Sequence, residues 1–473
     1  MIEAHPILVG GEWVQTSSGL EVRSPYDGAV VGTTYLADAQ TLEQALSASL
    51  DGFKEMGALP AYRRAAICHA ISQGIKKRRE EFARLIVHEA GKPIRYARAE
   101  VERAATTFLI AAEEAGRIEG ELLALDGEEA GVGRTGIVRR FPVGPIAAIA
   151  PFNFPLNLVA HKLAPAIASG NPAILKPASK TPLTALLLGQ TVLDAGLPPH
   201  ELSVLPMDHA LAAQMIADPR IKMLSFTGSA DVGWGLRDSA GRKKVVLELG
   251  GNAGVIVCED ADLSLAVERC TYGAFAYSGQ VCISVQRIFA HHKCYDELKE
   301  RMVAAASRLR IGDPMLDETD IGPMIDHGNA ERVEDWVSEA VAHGAELLVG
   351  GLRDGIFYPP TLLEGVSRDM KLWRREVFGP VATLEPYADF QEALEAVNDS
   401  EFGLQAGVFT KDMGRALTAF EKLEVGGVIV NDVPTFRVEG MPYGGVKRSG
   451  MGREGVRYAI EEMTERRLLV LRA

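Results

Sequence analysis

The sequence predicts an α/β protein whose main sheet is parallel and carries helices on both faces. Three observations predict it. Between residues 146 and 257, short and uniformly apolar runs alternate with helical segments, and strands that are apolar all round are buried on both faces. The composition, 47% hydrophobic and 24% charged over 473 residues, is ordinary for a globular chain with a large core. At roughly 100–200 residues per domain the length leaves room for two to four domains, or for one large enzyme body with appendages. No internal repeat or low-complexity linker interrupts the pattern.

The first forty residues read as short strands and turns: Ile7-Leu8-Val9, a Gly-Gly turn at 10–11, then Glu12-Trp13-Val14. From 41 to 118 the texture is helical, with apolar residues recurring at three and four, as in Ala45, Ala48, Phe53 and Val101, Ala105, Phe108. After Gly120 a polar stretch at 126–129 precedes a β-like run over 135–140. Strands at 146–150, 173–176, 202–205, 223–226 and 245–247 then alternate with helices at 157–169, 181–195, 209–217 and 229–240. A second α/β stretch follows, with strands at 254–257 and 287–290 and helices at 263–277 and 295–308. Beyond it lie helices at 328–343 and 389–398 and a strand at 346–349. The terminal run Leu468-Leu-Val-Leu471 reads as a strand with no partner nearby in sequence, destined for an edge of its own chain or for another subunit.

The formal net charge of −13 and a pI near 5.4 argue against nucleic-acid or anionic-membrane binding. Five cysteines are too few for a disulfide framework, and an odd count leaves a free thiol, so a reducing compartment is expected. Cys258, Cys270, Cys282 and Cys294 are spaced twelve apart, but no metal motif uses that period, and no metal site is expected. The N-terminus, Met-Ile-Glu-Ala-His-Pro, has no basic or apolar leader region, and no apolar run approaches the ~18–20 residues of a membrane span. The expectation is a cytoplasmic protein.

The literal G-x-G-x-x-G, Gly131 to Gly136, follows an acidic loop and opens a β-like run. A dinucleotide fingerprint must instead open a helix, so this one reads as a hairpin turn. A better phosphate site is Thr227-Gly228-Ser229, where an apolar strand gives way to a helix; many strand–helix junctions are nevertheless Gly-Ser for structural reasons alone. Other residues stand at strand ends, where open α/β sheets bind ligands. Lys176 can reach ribose hydroxyls or phosphate, or be a solvated lysine. Asn153, between aromatics and prolines, can donate to an oxyanion or serve a turn. Glu248, beside Leu249-Gly250-Gly251, can be a desolvated base or an exposed strand end. Cys282, in Ser278-Gly279-Gln280-Val281-Cys282, can be a nucleophile or a small buried hydrophobe. Glu376, in Glu376-Val377-Phe378-Gly379-Pro380, can grip ribose hydroxyls or belong to a turn.

Taken in order, this set resembles the aldehyde dehydrogenase superfamily, with Glu248-Leu-Gly-Gly and Gly279-Gln-Val-Cys282 its most specific parts. The resemblance runs from Gly10-Gly-Glu-Trp13 to Pro442-Tyr-Gly-Gly445 and Ser449-Gly-Met-Gly452. It implies that Cys282 attacks the aldehyde carbon and that Asn153 and the Cys282 N–H hold the oxyanion. It further implies that Glu248 activates the hydrolytic water and Lys162 assists proton relay. The implied cofactor is NAD or NADP, held by Lys176, Ser179, Phe152, Thr227, Gly228, Ser229, Leu249, Glu376 and Phe378. Many NAD-preferring members carry glutamate where this chain has Ser179; serine removes a repulsion against the 2′-phosphate, so NADP should be tolerated. The implied pocket takes in Arg103, Phe154, Leu158, His161, Ile283, Ser284, Phe436 and Arg437. The segment from Asn431 to Gly445 resembles the lactaldehyde and non-phosphorylating glyceraldehyde-3-phosphate dehydrogenase subgroup. A small polar or anionic aldehyde is therefore expected, unless the two arginines only make structural ion pairs. A cofactor-independent thiol hydrolase using Cys282 and Glu248 is the alternative. The implied architecture is a Rossmann-like cofactor domain (1–119 and 143–250), an α/β catalytic domain (251–445) and a β-extension for oligomerisation (120–142 and 446–473), giving a homodimer or homotetramer.

Overall fold

The computed structural model describes residues 4–472; the first three residues and residue 473, where the expected terminal bounds fall, lie outside the described residues. Two large sheets carry the molecule. The first has eight strands, with a parallel centre formed by Leu202–Val204, Ala173–Lys176, Ile146–Ile149, Met223–Thr227 and Lys244–Glu248 in that spatial order. Its strands alternate between two cores, as the period of two dictates. Ala148 and Leu175 pack with Val159, Leu163 and Leu186 on one face. Ala147 and Ile174 pack with Leu42, Leu46, Leu211 and Met215 on the other. The expected helices are present, including Asn157–Ser169, Pro182–Asp194, His209–Ala217 and Ala230–Ser239.

After Glu248 the chain crosses directly into the second sheet at Ala253–Val257. This seven-stranded sheet also holds Val285–His291, Val381–Tyr387, Gln405–Phe409, Gly427–Val430, Thr361–Glu364 and Glu346–Val349. Because one strand ends and the next begins within a few residues, the carboxyl edge of the first sheet faces the amino edge of the second. The expected helix 263–277 stops at Phe275. Tyr277, Ser278 and Gly279 then take φ of 51°, 54° and 66°, a left-handed stretch that no helix accommodates.

The terminal strand Thr464–Arg472 finds its partner within the chain. It pairs antiparallel with Arg134–Pro142 through nine residues, and Glu121–Ala124 adds a third strand. Gly131–Gly136 leads into that sheet rather than into a helix. Leu468, Leu469, Val470 and Leu471 are all about half exposed on it. Among the described residues no helix is long and apolar enough to cross a membrane.

Candidate active site

The facing sheet edges gather the chemistry. Strained backbone sets Cys282: a non-glycine left-handed residue costs about 1–2 kcal/mol, and two occur in succession. Side chains hold them there. Tyr277 donates to the Ala90 carbonyl (3.3 Å) and Ser278 to the Gly322 carbonyl (2.8 Å). Gln280 Oε1 accepts from the Ile325 N–H (2.9 Å). Glycine is required at 279, where a Cβ would stand 2.0 Å from the Gly379 oxygen. The half-buried Cys282 Sγ lies 3.0 Å from the Tyr443 hydroxyl. Burial pushes its thiol up to about 12, against the pull of the Tyr443 hydrogen bond and Arg437. All five cysteines are free and the other four are buried.

Asn153 follows the strand Ile146–Ile149 and is 3% exposed. Its Nδ2 donates one hydrogen to the Gln280 carbonyl (2.9 Å), which leaves the second free. The backbone N–H of Cys282 donates to no described residue. Glu248 ends its strand 2% exposed, and neither carboxylate oxygen has a partner. Burial, then the nearby Glu454, raises its carboxyl well above the usual range. A Cβ on Gly444 would lie 2.7 Å from Glu248 Oε1, so glycine leaves the carboxylate its space.

Behind Glu248 runs a buried charge network. Lys162 Nζ donates to Thr227 Oγ1 (2.7 Å) and Ser225 Oγ (3.3 Å) and lies 3.4 Å from Glu454 Oε1. The other Glu454 oxygen accepts from Arg437 Nη2 at 3.0 Å. Burial alone would raise Glu454, but Lys162 and Arg437 hold it down to about 2. The Arg437 guanidinium also stacks 3.7 Å over the Tyr443 ring.

A cavity of about 120 Å³ ends at Cys282. Of the expected pocket residues, Arg103, Phe154, Leu158, Ile283 and Arg437 line it. His161, Ser284 and Phe436 do not. His161 is buried behind the wall against Glu439, which also pairs with Arg103. Ser284 turns its hydroxyl to the carbonyls of Gly273 and Ala274, and Phe436 is 41% exposed. The loop 431–441, also expected at the pocket, supplies Thr435 to this wall and Glu439 behind it, while the sequence reading missed Lys92, Tyr277 and Tyr443 in the wall and Glu454 behind it. Tyr443 and Glu454 stand beside the glycine-rich motifs at 442–445 and 449–452, the one available signal.

The residues expected to hold the cofactor lie along the same edge, and their chemistry fits a dinucleotide. Lys176 closes its strand 8% exposed, and its ammonium makes no hydrogen bond or ion pair among the described residues, while burial lowers its pKa. Ser229 heads the helix Ala230–Ser239, yet its hydroxyl does not cap it and stays free for a ligand. Thr227 and Gly228 lead into that turn, where Gly228 N–H donates to the Glu248 carbonyl (3.1 Å). Leu249 packs beneath it against Gly233. Glu376 Oε1 accepts from the Gly251 N–H (3.1 Å), and burial pushes its carboxyl up to about 7. A Cβ on Gly250 would fall 2.0 Å from the other Glu376 oxygen. Phe378, left-handed at φ 48°, meets Phe152 edge-on with ring centroids 5.9 Å apart. Ser179 is exposed, and the neighbouring Lys180 lies 3.6 Å from Asp326.

Two facing α/β sheets with a cysteine, an unpaired buried glutamate and a dinucleotide edge define a class, and comparison with known proteins names it. The aldehyde dehydrogenase family profile matches residues 13–469. The chain is 45% identical to the 3-sulfolactaldehyde dehydrogenase of Priestia aryabhattai over 471 residues, covering 99% of this chain and 98% of that one. The crystal structure of aldehyde dehydrogenase 21 from Physcomitrella patens, in complex with the reaction product succinate, superposes with a TM-score of 0.98 at 45% identity, covering 100% of this chain and 99% of that one. The glyceraldehyde-3-phosphate dehydrogenase of Methanocaldococcus jannaschii complexed with NADP gives 0.92 at 39% identity, covering 96% and 99%. The chain belongs to the aldehyde dehydrogenase family. It is an NAD(P)-dependent oxidoreductase acting on aldehydes.

Proposed function

We propose that this enzyme oxidises a small aldehyde with an acidic tail to the free acid through Cys282. The observation that carries the substrate class is the cavity wall. Arg437 Nε and Thr435 Oγ1 are buried there without partners, beside Arg103. Unpaired buried polar groups cost free energy until a ligand satisfies them. Charge agrees: Lys92, Arg103, Lys162 and Arg437 outnumber Glu100, Glu439 and Glu454 by one when Glu248 is protonated. The arginines do make ion pairs, but each also faces the cavity. The names of the relatives, a sulfolactaldehyde dehydrogenase and an enzyme holding succinate, support an anionic tail.

In this reading the Cys282 thiolate adds to the aldehyde carbon, and the resulting oxyanion accepts from the second Asn153 amide hydrogen and the Cys282 N–H. Lys176, Ser229 and Glu376 hold the dinucleotide, whose nicotinamide supplies the two-electron acceptor when bound. Glu248 then takes a proton from water as the oxygen attacks the thioester carbon, and the Cys282 thiolate leaves with the C–S bonding pair. The half-exposed apolar strand Thr464–Arg472 supports assembly with a second copy, and five unpaired cysteines support a reducing, cytoplasmic setting.

The test is a substrate panel followed at 340 nm with NAD and NADP. Sulfolactaldehyde or succinate semialdehyde should exceed hexanal in kcat/KM by about a hundredfold, roughly 2.7 kcal/mol of discrimination. Hexanal matching them would overturn the substrate class. Ester hydrolysis without cofactor, with no 340 nm signal from any aldehyde, would overturn the oxidation itself.

A further inference from the structure

We propose that Tyr443 is a positioning residue for the nucleophile: its phenol hydroxyl holds the Cys282 sulfur, supports the thiolate once the thiol proton has gone to solvent, and is itself polarised by the Arg437 guanidinium on its ring. The inference rests on Cys282 being the nucleophile. Three contacts carry it. The Tyr443 hydroxyl lies 3.0 Å from Cys282 Sγ, the only side-chain hydrogen bond to that sulfur among the described residues. Val281, Ile283 and Leu404 pack around the pair. Arg437 lies over the Tyr443 ring at 3.7 Å, where a cation draws charge from the π system and makes the O–H a better donor.

The backbone fixes Tyr443 as firmly as it fixes Cys282. Tyr443 exchanges both main-chain hydrogen bonds with Glu454, at 3.0 and 2.7 Å. Glu454 in turn holds Arg437 by its side chain. Phenol, guanidinium and carboxylate are therefore one linked unit, with the Cys282 sulfur at its phenol end. The charged and titratable groups acting on Cys282 are few: Tyr443 and Arg437 favour the thiolate, while Glu248 and Glu376 oppose it. Of the two favourable ones, only Tyr443 touches the sulfur. The reach of Arg437 into the cavity links the two ends of the site, since an anionic tail at Arg437 lies one ring away from the nucleophile.

The decisive measurement is the rate at which iodoacetamide alkylates Cys282 between pH 7 and 11, followed by mass spectrometry of the Cys282 peptide. Tyr443→Phe keeps the ring and its stack on Arg437 and removes only the hydroxyl. It should slow alkylation about tenfold at any fixed pH below the thiol pKa, equivalent to raising that pKa by about one unit. With an acid-tailed aldehyde, kcat should fall while KM stays within about twofold. Alkylation rates that superpose on the wild type would overturn the proposal. Should Tyr443→Phe not fold, fluorotyrosines at 443 serve instead: more acidic phenols should speed alkylation in order of their acidity, and no trend would overturn it. Failure of the underlying reading shows separately, as dehydrogenase activity retained by Cys282→Ser.

Discussion

Lys92 and Glu100 form an ion pair with both side chains fully buried beneath the substrate cavity. Lys92 Nζ also lies 3.7 Å from the Phe154 ring centroid and 4.4 Å from that of Tyr277. Burial pulls its ammonium down to about 8 while Glu100 holds it up. The second Glu100 oxygen accepts the N–H groups of Leu156 (2.9 Å) and Asn157 (3.1 Å), at the start of the helix that carries Lys162. Lys92→Met keeps the side-chain volume but strands a buried carboxylate, a loss of about 3–5 kcal/mol. Glu100→Gln strands the ammonium at a similar cost. The double variant removes both charges, and its glutamine oxygen still accepts from Leu156 and Asn157, so it should lose only about 0–2 kcal/mol. At roughly 2.1 cal/mol/K of unfolding entropy per residue, a chain of 473 residues moves its Tm by roughly 1 °C per kcal/mol. Calorimetry of the four proteins at one scan rate should show each single variant roughly 3–5 °C below the wild type and the double within roughly 2 °C of it. A double variant that falls by the sum of the single losses, roughly 6–10 °C, would show that the two charges do not compensate each other and would refute the reasoning.

Glu248→Gln should retain a first-turnover burst of reduced cofactor and lose steady-state turnover by about 10²–10⁴-fold, the usual worth of a general base. Because burial and then Glu454 raise the Glu248 carboxyl well above its usual range, wild-type turnover limited by hydrolysis should climb as pH rises; a burst-free Gln variant contradicts the assignment. Ser179→Glu places a carboxylate at the exposed strand-end turn. At about 1–4 kcal/mol per charge pair at close range, the ratio of kcat/KM for NADP over NAD should fall about 5- to 1000-fold, and a ratio within threefold of the wild type rejects the role given to Ser179. Glu201→Gln concerns stability. Burial, then Glu55, pushes the Glu201 carboxyl from an ordinary 4.5 up to about 9. Its protonated form stabilises the fold fully below pH 4.5, and that contribution is lost as pH rises through about 9. At about 1.4 kcal/mol per pH unit, the Gln variant should gain about 4 kcal/mol on the wild type at pH 7.5 and nothing near pH 4.5; a Tm difference independent of pH excludes this.

The eight-stranded sheet was legible because its central strands are short, apolar on both faces and separated by helices, so Ala173–Lys176 and Asn157–Ser169 are readable from the local pattern alone. The second sheet was half legible. Pro386 and Glu385 interrupt the pattern of Val381–Tyr387, Gly407 sits within Gln405–Phe409, and Gly427–Val430 is four residues long. Each depends on neighbours distant in sequence for its identity as a strand. The same division runs through the site. Asn153, Lys176, Glu248 and Cys282 stand at strand ends or in a glycine loop, where local pattern marks them. Lys92 follows the left-handed Gly91 at a helix end and reads as a surface lysine. Only the packing of Glu100, eight residues on, and of Phe154 and Tyr277 makes it a buried charge. Tyr443 reaches Cys282 across 161 residues and Glu454 reaches Lys162 across 292, and no window of sequence contains either pair.

In the proposed mechanism the two acids at the centre let one cleft serve two steps. Cys282 and Glu248 are both pushed up by burial, and the charge of Glu248 raises the thiol further. A dry site of this kind tolerates one negative charge and resists two. The reaction asks for those charges in turn. While the sulfur must be an anion, a protonated Glu248 costs it nothing. Once the sulfur is acylated it carries no charge, so it adds nothing to the burial and the Glu454 charge that hold the Glu248 carboxyl up when a base is needed. Lys162 and Arg437 lie on either side of Glu454 and hold its carboxyl down. In the proposed mechanism the moving charge passes between Cys282 and Glu248, and the ion pairs around Glu454 set the field in which it moves.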